Sequence, residues 1–346
     1  MTYKEQELEF ATLAEAARRY GVQPEDLTEL SGGWVNHIYG FERRGAGYVV
    51  RISPLAARTP ELVCAEAAWI SYLSDRGVPA ARVVPSCEGR TVEIIRLQGG
   101  FSAVAYKRAP GHLPRRDELT LPFWNRLGAV TGRMHRLARD YVLPIGVDRS
   151  AETVCGPFSF GSIPPDQEAV VSRARNVLTD MSTWPRDRDS WGLIHGDLHP
   201  NNLFVTETGE MTLFDFDDFC ENWYLLDIAT ALFFGMWAGH PGETNRAWFD
   251  VLCEAFMTGY DLESSLDQEW LGHRLQTAMK YQELCCYTML NDDWHLGDGG
   301  RWEDVPPGWK TVLERYRRNI EGDVPAVEGA FNIWEVAAKT ERPVSD

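Results

Sequence analysis

Two segments of the chain carry side chains whose types and spacing could do chemistry: His195-Gly196-Asp197-Leu198-His199-Pro200-Asn201-Asn202 and Phe214-Asp215-Phe216-Asp217-Asp218. They supply a carboxylate at 197, an amide five residues on at 202, and a second carboxylate thirteen residues later at 215. A carboxylate that can position a hydroxyl, with an amide and a carboxylate that can hold magnesium, is the set that phosphoryl transfer from ATP needs. Residues 202–205 and 211–214 read as short strands around the turn-rich Thr206-Glu207-Thr208-Gly209-Glu210. A turn centred between Thr208 and Gly209 sets residue 202 opposite residue 215, and cross-strand partners have Cβ atoms about 4.5–5.5 Å apart. The spacing therefore predicts that Asn202 and Asp215 share one ion.

HGDLHPNN followed by FDFDD resembles the aminoglycoside phosphotransferase and choline kinase-like group of small-molecule kinases, relatives of the protein kinases, with Gly196 where the protein-kinase catalytic loop has Arg. The resemblance implies an α+β, bilobal, protein-kinase-like fold: a small antiparallel sheet in an N-terminal lobe, a mostly helical C-terminal lobe, and ATP between them. It implies Asp197 as catalytic base, Asn202 and Asp215 as magnesium ligands, and His195 as the structural His that opens the loop. Asp217 stands open between a supporting role at the metal and a surface charge. His199 reads as structural, and the resemblance makes Asp227 a carboxylate that ties down the loop.

These residues need elements to position them. A helix is expected over 4–20, stopped by Gly21. Gly32 and Gly33, with Asn36 just beyond, lead into an aromatic-rich strand, followed by Tyr48-Val49-Val50-Arg51-Ile52. A glycine turn between strands lets backbone N–H groups approach phosphate oxygens. Thr59-Pro60 opens a helix that Gly77 follows, with Leu62, Trp69, Ile70 and Leu73 on one stripe. Glu66 falls on that stripe, and a carboxylate on a buried face needs a partner. Arg51 is the expected one, an ion pair like the strand-Lys to helix-Glu pair of kinases. Arg in place of Lys departs from that pattern, although Arg can still grip phosphates bidentately.

Two more strand-like runs, 92–95 and 102–106, complete the small sheet. Lys107-Arg108-Ala109-Pro110-Gly111 then breaks the pattern and sets the expected boundary, with 1–108 as the nucleotide-binding lobe and 109–346 as the catalytic and substrate-binding lobe. By resemblance, adenine would meet backbone groups of Lys107 and Ala109. Helical patterns dominate after Leu121, where His135 reads as a packed core histidine, and Trp191-Gly192-Leu193-Ile194 leads as a strand into the catalytic loop. Between 283 and 307 stand Glu283, Asp292, Asp293, Asp298, Glu303 and Asp304 against Arg301 alone, with Trp294 and Trp302 available for cation–π contact. By resemblance such a segment suits an ammonium-bearing substrate; read alone, it is a solvated acidic loop.

Bulk properties narrow the class. At 346 residues the chain exceeds the usual single-core size. A net charge of −17 argues against nucleic acid and anionic membranes as partners and is compatible with a cationic substrate. Seven scattered cysteines, a polar N-terminus and no run of about 18 apolar residues point to a reduced, cytoplasmic protein. The expected function is magnesium-dependent transfer of the γ-phosphate of ATP, or of GTP, to a hydroxyl of a small molecule such as an aminoglycoside. The alternatives are a weak or inactive kinase relative that binds nucleotide or a partner, a protein Ser/Thr kinase, and a metallohydrolase built on the His195-Gly196-Asp197-Leu198-His199 cluster.

Overall fold

Proline and glycine mark the ends of several elements. The computed structural model describes residues 8–30, 36–97, 99–155, 158–238 and 244–341. Helix α1 (Phe10–Tyr20) ends at Gly21 in the left-handed conformation, as its sequence predicts, but starts later than expected within the described residues. Strands β1 (Thr28–Glu29), β2 (His37–Arg43) and β3 (Ala46–Pro54) follow. Helix α2 (Pro60–Asp75) opens on Thr59, whose hydroxyl accepts the Leu62 N–H at 3.4 Å. Strands β4 (Val83–Val84), β5 (Glu93–Ile95) and β6 (Phe101–Lys107) come next. The chain continues through helices α3 (Leu121–Ala138), α4 (Ala151–Cys155) and α5 (Glu168–Ser182) to four short strands, β7 (Trp191–Ile194), β8 (Leu203–Val205), β9 (Met211–Leu213) and β10 (Cys220–Trp223). Six helices complete it: α6 (Tyr224–Gly235), α7 (Asn245–Tyr260), α8 (Gln268–Asp293), α9 (Pro307–Glu321), α10 (Ala326–Gly329) and α11 (Ile333–Glu341).

The chain divides into two compact units. The first runs to Leu113, five residues beyond the expected break, and also takes in Tyr141–Arg149 and Asn202–Phe219. Its sheet is antiparallel throughout, in the order β1-β2-β3-β6-β4, with β5 also paired to β6. One face packs on α1 through Ala16, Tyr20, Phe41, Val50, Ile52, Phe101 and Ala103. The β8–β9 hairpin joins this unit by main-chain bonds, because Leu213 bonds Pro79 and Ala81 while Val205 exchanges both bonds with His112. No helix among the described residues is long and apolar enough to cross a membrane.

The second unit holds Pro114–Asp140, Ser150–Asn201 and the chain from Cys220 on, and is mostly helical. Its main seam joins α3 to α7 through small residues. A Cβ on Gly128 would come within 1.9 Å of the Phe256 carbonyl oxygen, and one on Gly259 within 1.8 Å of that of Asn125. The helices approach so closely that Tyr260 on α7 reaches His135 on α3, the first link to the site below. Backbone cannot yield here as a flexible side chain could. Gly128→Ala should therefore destabilise the protein by about 1–3 kcal/mol. The same change at exposed Gly272 in α8, where a Cβ would meet nothing within 4 Å, should stabilise by about 0.5–1 kcal/mol. Urea unfolding of the two variants checks the opposite signs.

Candidate active site

Strand β7 delivers the chain to His195, and α6 holds it there. Asp227, on the first turn of α6, is fully buried. Its Oδ2 accepts the His195 N–H at 2.8 Å, and its Oδ1 accepts the Gly196 N–H at 3.0 Å. His135 Nε2 lies 3.1 Å from Oδ2, and His135 Nδ1 lies 3.0 Å from the Tyr260 hydroxyl. Burial pushes the His135 pKa below its ordinary value against the pull of Asp227, so the ring is neutral. It donates through Nε2 to the carboxylate and accepts the Tyr260 O–H at Nδ1. Both α6 and β7 are apolar because they are buried, and Asp227 is tolerated there because three donors converge on it.

Asp197 follows Gly196, whose φ of 86° lies where a Cβ is disfavoured. Its N–H donates to His195 Nδ1 at 3.4 Å, and its carboxylate, about two-fifths exposed, meets His199 Nε2 at 3.2 Å. His195 Nδ1 and both ring nitrogens of His199 are thus engaged within the loop rather than arranged as ligands. Among the described residues no group of three or more His, Cys, Asp or Glu is placed to hold a metal.

In the first unit the hairpin corrects one expectation. The register pairs Leu203 with Leu213 and Val205 with Met211, and Phe214 N–H bonds the Asn202 carbonyl at 3.0 Å. Asn202 therefore stands opposite Phe214, one residue short of Asp215. The turn from Thr206 to Glu210 is closed by Gly209 at φ 79°, which makes the loop one residue longer than a turn centred between 208 and 209. Asp215 itself sits at φ 63°, a left-handed conformation uncommon outside glycine. It lies two residues past the end of β9 and is exposed, whereas Asn202 is buried. Strained non-glycine residues of this kind concentrate at functional sites. An amide oxygen and a carboxylate are hard donors that suit magnesium, which keeps several waters and takes its other ligands from phosphates.

The expected ion pair is formed. Arg51 on β3 binds Glu66 on α2 through two hydrogen bonds, 2.8 and 2.5 Å, and both side chains are buried. Burial opposes the Arg51 charge, but Glu66 and Asp217 hold its pKa well above the ordinary value. Asp217 Oδ1 lies 3.6 Å from Arg51, and its other oxygen lies 3.7 Å from Arg58, which also binds Asp218 at 2.8 Å. Asp217 is thus part of a partly buried charge network. Arg149 is buried over the Phe219 ring and donates to the carbonyls of Asp217 and Leu62. Sequence reasoning missed Arg58 and Arg149; three acids within four residues, beside a partly buried strand, were the signal that cations had to be near.

Gly32 and Gly33 lie outside the described residues. Asn36 is half-buried, and its Oδ1 has no hydrogen-bond partner among the described residues. At the end of β6 the Lys107 N–H is spent on the Arg82 carbonyl and the Arg108 N–H on Gly47. Ala109 therefore carries the remaining amide donor of that stretch, since Pro110 has none. The acids of 283–304 are not alike in setting. Glu283 is buried, which raises its pKa to about 7, whereas Asp292, Asp298, Glu303 and Asp304 are exposed. Trp294 packs on Trp309, while Trp302 is exposed.

A loop carboxylate whose main chain a buried Asp holds, and a strand-to-helix Arg–Glu pair, are features expected of a kinase-type phosphotransferase. The chain belongs to the phosphotransferase enzyme family whose model matches residues 26–261. It is therefore a small-molecule kinase that phosphorylates a hydroxyl group. It is 28% identical to the amicoumacin kinase of Bacillus subtilis (strain 168) over 92% of this chain and 94% of that one. Among solved structures it resembles an amicoumacin kinase in complex with AMP-PNP, Ca2+ and Ami, with a TM-score of 0.81, 27% identity, and coverage of 96% of this chain and 98% of that one. It shares the fold of a microcompartment-associated aminopropanol kinase, with a TM-score of 0.71 and 21% identity over 90% of this chain and 95% of that one.

The Arg51–Glu66 pair yields a stability prediction. Removing one partner of a buried pair leaves an uncompensated charge, which costs about 3–5 kcal/mol. Asp217 at 3.6 Å softens that loss. Glu66→Gln should therefore cost about 3 kcal/mol in urea unfolding, and an unchanged midpoint would show that the pair contributes nothing.

Proposed function

We propose that the chain transfers the γ-phosphoryl group of ATP, with GTP as a possible substitute, to a hydroxyl of a small ammonium-bearing molecule, with Mg2+ as cofactor. The observation that carries this reading is the Asp197 carboxylate, presented on a loop whose backbone Asp227 fixes from behind. Similarity to an amicoumacin kinase along nearly the whole chain supports a small-molecule acceptor, and the net charge of −17 supports a cationic one.

In this reading the first unit supplies the nucleotide side. Arg51, held by Glu66, contacts phosphate oxygens, and Asn36 lies in the segment on the same side of the nucleotide. Backbone groups of Lys107 and Ala109 meet the base. Asn202 and Asp215 would hold a magnesium ion, which would neutralise charge on the phosphates when bound. The second unit supplies Asp197, which accepts a hydrogen bond from the acceptor hydroxyl, aims its oxygen, and takes its proton late. A loose transition state asks for positioning and charge neutralisation more than for a strong base.

Magnesium-dependent ADP release, followed against a panel of hydroxyl compounds with and without amines, tests this. Asp197→Asn should keep nucleotide binding and lose acceptor-stimulated turnover by about 100-fold or more. Asp215→Ala should lose the magnesium-dependent part of nucleotide affinity. Full turnover by Asp197→Asn would overturn the base assignment. Magnesium that still tightened ATP binding in Asp215→Ala would move the ion to other ligands. Tight magnesium–nucleotide binding with no acceptor-stimulated turnover on any compound would favour the inactive-relative alternative.

A further inference from the structure

His199 is tied to the site by both ring nitrogens. Its Nδ1 accepts the backbone N–H of Asn201 at 3.2 Å. A nitrogen that accepts from an amide must present a lone pair, so the ring proton resides on Nε2. That nitrogen lies 3.2 Å from Asp197 Oδ2 and donates to it. The ring plane is fixed by packing: Phe234 of α6 lies 4.6 Å away, centroid to centroid, and Trp237 lies 4.6 Å beyond Phe234. The side chain is only 14% exposed. His195 makes the same local bond, its Nδ1 accepting the N–H two residues on, but that N–H belongs to Asp197 itself. One histidine thus holds the Asp197 main chain and the other its carboxylate.

We propose that His199 is a positioning residue for Asp197: an Nε2–H imidazole that donates to one carboxylate oxygen and so sets how the carboxylate is presented. This rests on the reading of Asp197 as the group that aims the hydroxyl. The bond to Oδ2 fixes the rotation of a carboxylate that is otherwise partly in solvent. The backbone donor at Nδ1 fixes the ring in turn, so that Nε2 faces the carboxylate as a donor.

Two variants and one spectrum test the proposal. His199→Gln places an amide donor where Nε2–H stood. His199→Phe keeps a ring against Phe234 and removes the donor. The expected result is a fall in kcat of about 100-fold for His199→Phe, with the nucleotide KM and Tm little changed, because misplacement of a reacting group by about 1 Å costs that much. His199→Gln should recover most of the loss. A kcat for His199→Phe within about twofold of wild type, or equal losses of kcat and Tm in both variants, would overturn the proposal in favour of a purely structural ring. The spectrum is independent of turnover: in 15N-histidine protein, with His199→Gln for assignment, Nε2 should read as pyrrole-type and Nδ1 as pyridine-type. The opposite tautomer, or an imidazolium, would overturn it even if no acceptor were found. Failure of the kinase reading would instead leave the tautomer intact and wild-type turnover absent.

Discussion

A single buried carboxylate sets the geometry of the loop that presents Asp197 in the second unit. Asp227 costs free energy to bury, and it is stable only because two main-chain N–H groups and the His135 ring converge on it. Those two N–H groups belong to His195 and Gly196, so the same bonds that satisfy Asp227 fix the backbone that presents Asp197. Behind it, His135 is oriented by Tyr260, and Tyr260 reaches it because glycines let α3 and α7 approach closely. Helix packing, a buried polar chain and the placing of one partly exposed carboxylate are therefore one continuous arrangement.

The first unit solves a different electrostatic problem. It gathers Arg51, Arg58 and Arg149 around Glu66, Asp217 and Asp218, and buries Arg51, Arg149 and Glu66. Because Asp217 and Asp218 directly follow the Asp215-Phe216 pair, the network fixes the chain just beyond the strained Asp215. The left-handed backbone at Asp215 is thereby held between the hairpin ladder on one side and the arginines on the other. Asp215 itself is left exposed.

Much of this was legible in the sequence, and what was not has physical causes. Glu66 on an apolar stripe demanded a cation, and Arg51 is that cation. Asp227 in an otherwise apolar helix demanded donors and has them. The hairpin register failed by one residue, because a left-handed Gly209 lengthens the loop and no local pattern separates that turn from a tighter one. Arg58 and Arg149 escaped notice because long-range charge pairs leave no periodicity in sequence. The lobe boundary at 108 misses that the hairpin and 141–149 belong to the first unit, which strand pairing between distant segments decides. The acidic stretch from 283 reads as one feature in sequence but splits in three dimensions, since Glu283 faces the interior of its helix packing and four of the others face solvent.

The most direct test of the account is amide hydrogen exchange at His195 and Gly196, compared between wild type and Asp227→Asn. Hydrogen bonds to a charged acceptor contribute about 1.5–3 kcal/mol, equivalent to roughly 10- to 100-fold in protection. The account predicts that these two amides exchange faster by that factor in the variant, while those of β8 and β9 keep their protection. Unchanged protection at His195 and Gly196 would contradict it, and would mean that the loop presenting Asp197 is held by something other than the buried carboxylate.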